Sequence, residues 1–152
     1  MIPVDQTLFG GLEAVAAGDE PGDCLRAVVA SIMERRLDEV PHFSDTGPTR
    51  PGNARVWAYA LVGWLFTEGV VLWPFEISNP DLLPSAILPG YSILSGPGPR
   101  GHRHCVVGYQ GFVVHDPHPS RDGLIEIDSL ELLVPIGDRA HEVLSRAPEV
   151  DL

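Results

Sequence analysis

The chain has 152 residues, a length that fits one domain, and 44 % of them are hydrophobic, enough to enclose a core of that size. Twenty-one acidic residues stand against ten basic ones, all of them arginine, and the net charge of −11 repels phosphate backbones and argues against nucleic acid as a partner. No apolar run approaches the roughly 18 residues of a membrane span, and Met1-Ile2-Pro3-Val4-Asp5 does not open a basic-then-apolar leader. The expectation is a cytoplasmic domain that does not associate with membranes, with both cysteines kept as thiols.

Residues 2–9 read as an extended segment, and 10–23 as a Gly/Asp/Glu-rich lead-in with one weakly helical stretch. A helix starts at Cys24 behind Asp23, a good N-cap. Leu25, Val28, Val29, Ile32 and Met33 recur at helical spacing and define one buried face. The helix ends before 37–41, and the proline-rich stretch 41–52 is a loop. A second helix is predicted from Asn53, as cap, to Glu68, with Gly69 as its stop. Its apolar residues Val56, Trp57, Ala60, Leu61, Trp64 and Leu65 share one side, so Trp57 and Trp64 read as core.

Past Gly69 the pattern changes to strands, at 70–75, 90–94, 104–109, 112–116, 124–127 and 132–136. The loop SGPGPRG fills 95–101, and a polar C-terminal tail, helical or frayed, begins at 137. Helices first, then strands with hairpin-length connections, give an α+β fold with an antiparallel sheet in a single domain, 1–152.

Two cysteines cannot build a structural zinc site, so each is weighed as nucleophile or packing. Cys24 stands in the first turn of a helix, where unpaired N–H groups and the helix dipole stabilise a thiolate. The bland alternative is a small buried residue. A thiol nucleophile needs a histidine to take its proton and an acceptor to orient that histidine. In the hairpin around Gly111, a three-residue loop Tyr109-Gln110-Gly111 places Gly108 opposite Phe112 and His104 opposite Asp116, on one face. A two-residue loop would put His104 and Asp116 on opposite faces. The three-residue register also sets Cys105 opposite His115; a mid-strand cysteine lacks a helix terminus to activate it, so Cys105 reads as packing.

A rival reading gathers His102, His104, His115, His118 and Asp116 as metal ligands, although strand alternation splits them. Gly101, His102 and His118, on the loops that flank the His104 strand, are candidate substrate contacts, and Arg100 or Arg103 could meet an acidic group. His42 and His141 have no partner that the sequence identifies. There is no Gly-x-Ser-x-Gly, phosphate loop or dinucleotide fingerprint.

The segments GDCLRAVVASIMERRLDEVPHF (22–43) and GPRGHRHCVVGYQGFVVHDPHPSRDGL (98–124) resemble small uncharacterised proteins of phages and bacterial genomes. Those carry an N-C-L-x-A-C-type helix start, a V-P-H-F end, then S-G-P-x-P-R-G, H-A-V-V-G and V-H-D-P-H-P-S. They are similar to papain-like cysteine peptidases, closest to the family that trims double-glycine bacteriocin leaders. The resemblance implies a papain-like fold with Cys24 as nucleophile, His104 as base and Asp116, followed by Pro117, as orienter. It implies hydrolysis of a peptide or isopeptide bond in a peptide or protein substrate through a thioester, with no cofactor. One departure stands out: papain-like enzymes place a Gln shortly before the Cys, and 18–23 contains no Gln, Asn, Ser or Thr. The Cys24 backbone N–H supplies one oxyanion donor, and Gln6, from the N-terminal segment, is the candidate for the other. Asp23 beside the site would oppose an oxyanion. An inactive binding or inhibitor module therefore stays open, as does amidase, acyltransferase or transglutaminase chemistry on the same fold.

Overall fold

Ala27 to Ile32 are six consecutive buried residues, so the first helix is wrapped on all sides rather than along one stripe. This helix, α1 (Cys24–Ile32), packs chiefly on one strand of the sheet. Its outer side is covered by the N-terminal segment. Val4 N–H donates to Ser31 Oγ at 2.9 Å, and that hydroxyl donates to Ala27 O at 2.8 Å, so the one polar side chain on this stretch is satisfied inside the core. The computed structural model describes residues 1–10, 21–43, 56–77 and 89–148. The weakly helical stretch expected within 10–23 and the Asn53 cap fall largely or wholly outside these.

After α1 come a 3-10 turn (Leu37–Glu39), α2 (Val56–Thr67), β1 (Val70–Glu76), β2 (Tyr91–Pro97), β3 (Arg103–Tyr109), β4 (Phe112–His115), β5 (Ser129–Pro135) and α3 (Asp138–Leu144). The strands form one antiparallel five-stranded sheet in the order β1-β5-β2-β3-β4. The chain is therefore α+β, with an N-terminal helix on an antiparallel sheet. One face of the sheet meets α1 through Ile93, Val107 and Leu133; the other buries Leu94, Val106 and Leu130 against Ile77, Leu124 and Ile127. Among the described residues no helix is long and apolar enough to cross a membrane.

Three expectations need correction. The segment 124–127 is not a strand: it crosses the end of β2, where Ile125 N–H donates to Pro97 O at 2.8 Å and Asp128 N–H to Ser95 O at 3.0 Å. Strand β2 itself runs on through Ser95-Gly96-Pro97, which had the composition of a loop. Trp57 is 39 % exposed, because α2 is apolar on every side and only Leu61 and Leu65 of its described residues are fully buried. Trp64 does pack, edge-on to Phe43 with ring centroids 6.1 Å apart. The polar tail is helical, one of the two forms expected for it: α3 buries Ala140, Val143 and Leu144, and Tyr91 OH donates to Arg146 O at 2.8 Å.

Gly96 fixes how closely 124–127 approaches the sheet, since a Cβ there would overlap the carbonyl of Glu126. Gly96→Ala is expected to lower stability by about 1–3 kcal/mol in urea unfolding, the usual range for forced overpacking. An unchanged midpoint would contradict this crossing.

Candidate active site

Asp23 fills the N-cap position of α1, yet its side chain does not cap the helix. It is buried and turns toward the N-terminal segment, accepting Thr7 N–H at 2.9 Å, Thr7 Oγ1–H at 2.8 Å and Leu8 N–H at 2.9 Å. This corrects the reading of Asp23 as a helix cap: the carboxylate is a clamp for residues 7–8. The first N–H groups of α1, at Cys24, are left without a side-chain acceptor.

The hairpin after β3 turns on two residues, not three. Tyr109 pairs with Phe112, and Gln110 and Gly111 both have positive φ, 50° and 85°, as a type I′ turn requires. Alone, that turn would place His104 and Asp116 on opposite faces. A β-bulge reverses the outcome. Gly108 pairs with Val113 but Val107 pairs with His115, so Val114 is the extra residue and the register shifts by one. Even-numbered residues of the two arms of the hairpin then share a face again. His104 Nε2 lies 2.7 Å from Asp116 Oδ1, both side chains buried. His115, expected opposite Cys105, instead lies opposite Val107, with its Nε2 3.0 Å from Val4 O.

Asp116 is also the hub of the loop that follows it. Oδ1 accepts the His118 amide at 2.8 Å and Oδ2 the Gly123 amide at 2.8 Å. Burial works against its charge, but His104 and these two amides outweigh it and hold the carboxyl below its ordinary value. The backbone carbonyl of Asp116 accepts from Arg121, which also pairs with Asp5 at 2.7 Å.

Cys24 meets two consecutive residues of β3, His104 and Cys105. The Cys105 S–H donates to Cys24 Sγ across 3.4 Å. That bond is the largest cause holding the Cys24 thiol well below its ordinary value. Burial opposes it, and a hydrogen bond and charge from His104 add to it. Cys105 is pushed well up by the same shared proton, by burial, and by the negative charge around it. For His104 burial is the largest single influence and is unfavourable to the cation. Hydrogen bonds to Cys24 and Asp116, with their charges, overcome it, and the ring ends above its ordinary value. A lowered thiol beside a raised imidazole favours the thiolate–imidazolium pair. Cys105, which its mid-strand position without a helix terminus assigned to packing, is in contact with the candidate nucleophile.

Gln6 is buried between the two anchors. Its amide N–H donates to Pro117 O at 3.0 Å, next to Asp116, while Thr7 and Leu8 are held by Asp23, next to Cys24. Its Nε2 donates to Leu8 O at 2.9 Å, and its buried Oε1 has no partner. His118 stands against the dyad, its ring 6.2 Å from that of His104 and perpendicular to it, and Phe9 packs edge-on to its other side at 5.2 Å. Gly101 and His102 are exposed in the turn closed by Gly98 N–H to His102 O, and no contact links them to Cys24.

Arg100 bonds to Ser120 and Arg103 holds Asp128 with two bonds of 2.6 and 2.7 Å, so both arginines have partners within the chain. His42 has both ring nitrogens buried without a hydrogen bond, and His141 is exposed on α3. Among the described residues no group of three or more His, Cys, Asp or Glu side chains is placed to hold a metal, against the His-cluster reading. Sequence reasoning also passed over Glu131 of β5, whose carboxyl is pushed up to about 7 by burial and adds to the negative charge around Cys105.

Comparison of the chain with protein-family models, with curated proteins and with solved structures finds no match.

The site predicts a specific alkylation profile. Cys24 should react with iodoacetamide well below the ordinary thiol pKa of about 8.5, and His104→Ala should move that profile upward, while Cys105 stays slow throughout. Peptide mapping over a pH series reads both rates. An ordinary thiol profile at Cys24 would contradict the electrostatics described.

Proposed function

We propose that the chain is a papain-like cysteine peptidase, cleaving a peptide or isopeptide bond with a Cys24–His104–Asp116 triad. The observation that carries this reading is the place of His104 between the other two: Nε2 is 2.7 Å from Asp116 Oδ1, which leaves Nδ1 for Cys24. The helix bearing the cysteine on an antiparallel sheet bearing the histidine and aspartate fits that architecture, and so do the chain order Cys, His, Asp-Pro and the sequence resemblance.

In this reading the Cys24 thiolate attacks the carbonyl carbon, and the carbonyl oxygen takes up negative charge. The Cys24 backbone N–H, at the uncapped start of α1, donates to that oxygen. The Gln6 side chain is the second donor; it is carried on the segment clamped by Asp23 and Pro117, in place of the usual Gln before the cysteine. His104 then gives its proton to the leaving amine, which releases the first product and leaves a thioester on Cys24. His104 next takes a proton from water as the water attacks the thioester, and the acid product leaves. Asp116 keeps the ring in the tautomer and orientation both steps need. No step calls on a cofactor. The partner is a peptide or protein, and at a net charge of −11 a neutral or basic one is favoured. His118, beside His104, and the turn at Gly101 and His102 would border the bound substrate. A reducing, cytoplasmic setting suits a mechanism that needs Cys24 as a free thiol.

A mixed peptide library incubated with the protein, with and without a primary amine, tests this by mass spectrometry. New peptide termini are expected, with the rate lower by on the order of a thousandfold or more in Cys24→Ala. Products joined to the added amine would instead identify an acyltransferase or transglutaminase. Intact peptides alongside an unreactive Cys24 would make the chain a binding or inhibitor module.

A further inference from the structure

We propose that Cys24 and Cys105 form a peroxide-sensitive dithiol, closing to a reversible disulfide that caps the nucleophile. Two thiols, 81 residues apart in sequence, stand with their sulfurs 3.4 Å apart. A disulfide bond is about 2.05 Å long, so the sulfurs need to close by only about 1.4 Å. Cys24 lies at the first residue of α1, where the chain enters the helix, and Cys105 lies within β3. The displacement therefore falls on a helix terminus rather than on the sheet.

Exposure sets the order of events. Cys24 is partly exposed and Cys105 is buried, so an oxidant from solvent reaches Cys24 first. The Cys24 thiolate attacks one oxygen of a hydroperoxide. The S–O bond forms as the O–O bond breaks, sulfur gives up two electrons, and the departing oxygen takes the proton of His104 and leaves as water or alcohol. Cys24 is now a neutral sulfenic acid. The two influences of Cys24 on Cys105, the shared proton and the adjacent negative charge, vanish with the thiolate. The Cys105 sulfur then attacks the Cys24 sulfur; the S–S bond forms, the S–O bond breaks, and the hydroxyl leaves with the Cys105 proton as water. In sum, two thiols and one hydroperoxide give a disulfide and two molecules of water, or one of water and one of alcohol. A dithiol reductant reverses the change. Without Cys105, the sulfenic acid would go on to sulfinic and sulfonic acids, which a thiol does not restore.

This inference rests on the same Cys24 thiolate and His104 proton as the peptidase reading, but not on peptide cleavage. Its test is treatment of the native protein with hydrogen peroxide, followed by intact mass and peptide mapping. The expected result is a monomer lighter by two hydrogens, a cross-linked peptide joining Cys24 to Cys105, and loss of Cys24 alkylation that dithiothreitol restores in full. Cys105→Ala and Cys105→Ser, each checked for fold by circular dichroism, should instead gain two or three oxygens at Cys24 that dithiothreitol does not remove. Oxygen gain at Cys24 in the wild type, or a dimer linked through Cys24, would overturn the proposal. The wild-type map decides even if both variants misfold. Peptide cleavage without the cross-link removes this proposal alone, and the cross-link without cleavage removes the peptidase alone.

Discussion

Asp116 is a buried carboxylate, and a buried charge is tolerated only when its surroundings supply donors. It has three: the His104 ring at 2.7 Å and the amides of His118 and Gly123 at 2.8 Å each. The same three bonds fix the tautomer of His104, fold the 116–123 loop back on itself, and set the carbonyl of Pro117 where Gln6 can reach it. Asp23 is its counterpart at the start of α1, a second buried carboxylate with three donors, all from Thr7 and Leu8. The N-terminal segment is stretched between the two. Gln6 and Cys24 are thereby placed by contacts that lie far apart in sequence, and neither position depends on local helix or strand propensity alone.

The proton inventory follows from that arrangement. His104 faces a carboxylate on one side and a thiol on the other, and both favour its cation. Cys24 accepts a bond from Cys105 and faces His104, and both favour its anion. Burial opposes each charge separately but leaves the attraction between them poorly screened. Of the nearby carboxylates, Asp23 is held by residues 7–8 and Asp128 by Arg103, while Glu131 adds negative charge around Cys105.

Much of this was legible in the sequence, and the exceptions share a cause. The helix beginning at Cys24 follows from its apolar spacing, and the α+β order follows from the change of period at Gly69. The pairing of His104 with Asp116 is correct, but a parity argument from the turn alone reaches it by the wrong route. The real turn has two residues, and the bulge at Val114 restores the face, a feature with no sequence signature here. Asp23 has the composition of a cap, and only partners 15 and 16 residues away reveal it as a clamp. Alternation in β3 says which face Cys105 takes but not that Cys24 covers it. The segment 124–127 alternates like a strand yet only crosses the end of β2, which it meets through the amides of Ile125 and Asp128. In α2, apolar on all sides, periodicity cannot choose which tryptophan is buried.

Acyl transfer by Cys24, activated by His104 and Asp116, is the proposal on which the function rests. Intact-mass analysis after mixing with p-nitrophenyl acetate tests it most directly. A single acetyl group that maps to Cys24, discharges with time, and fails to form in His104→Ala is the predicted result. Acetylation at Cys105, or at Cys24 equally fast without His104, would contradict it.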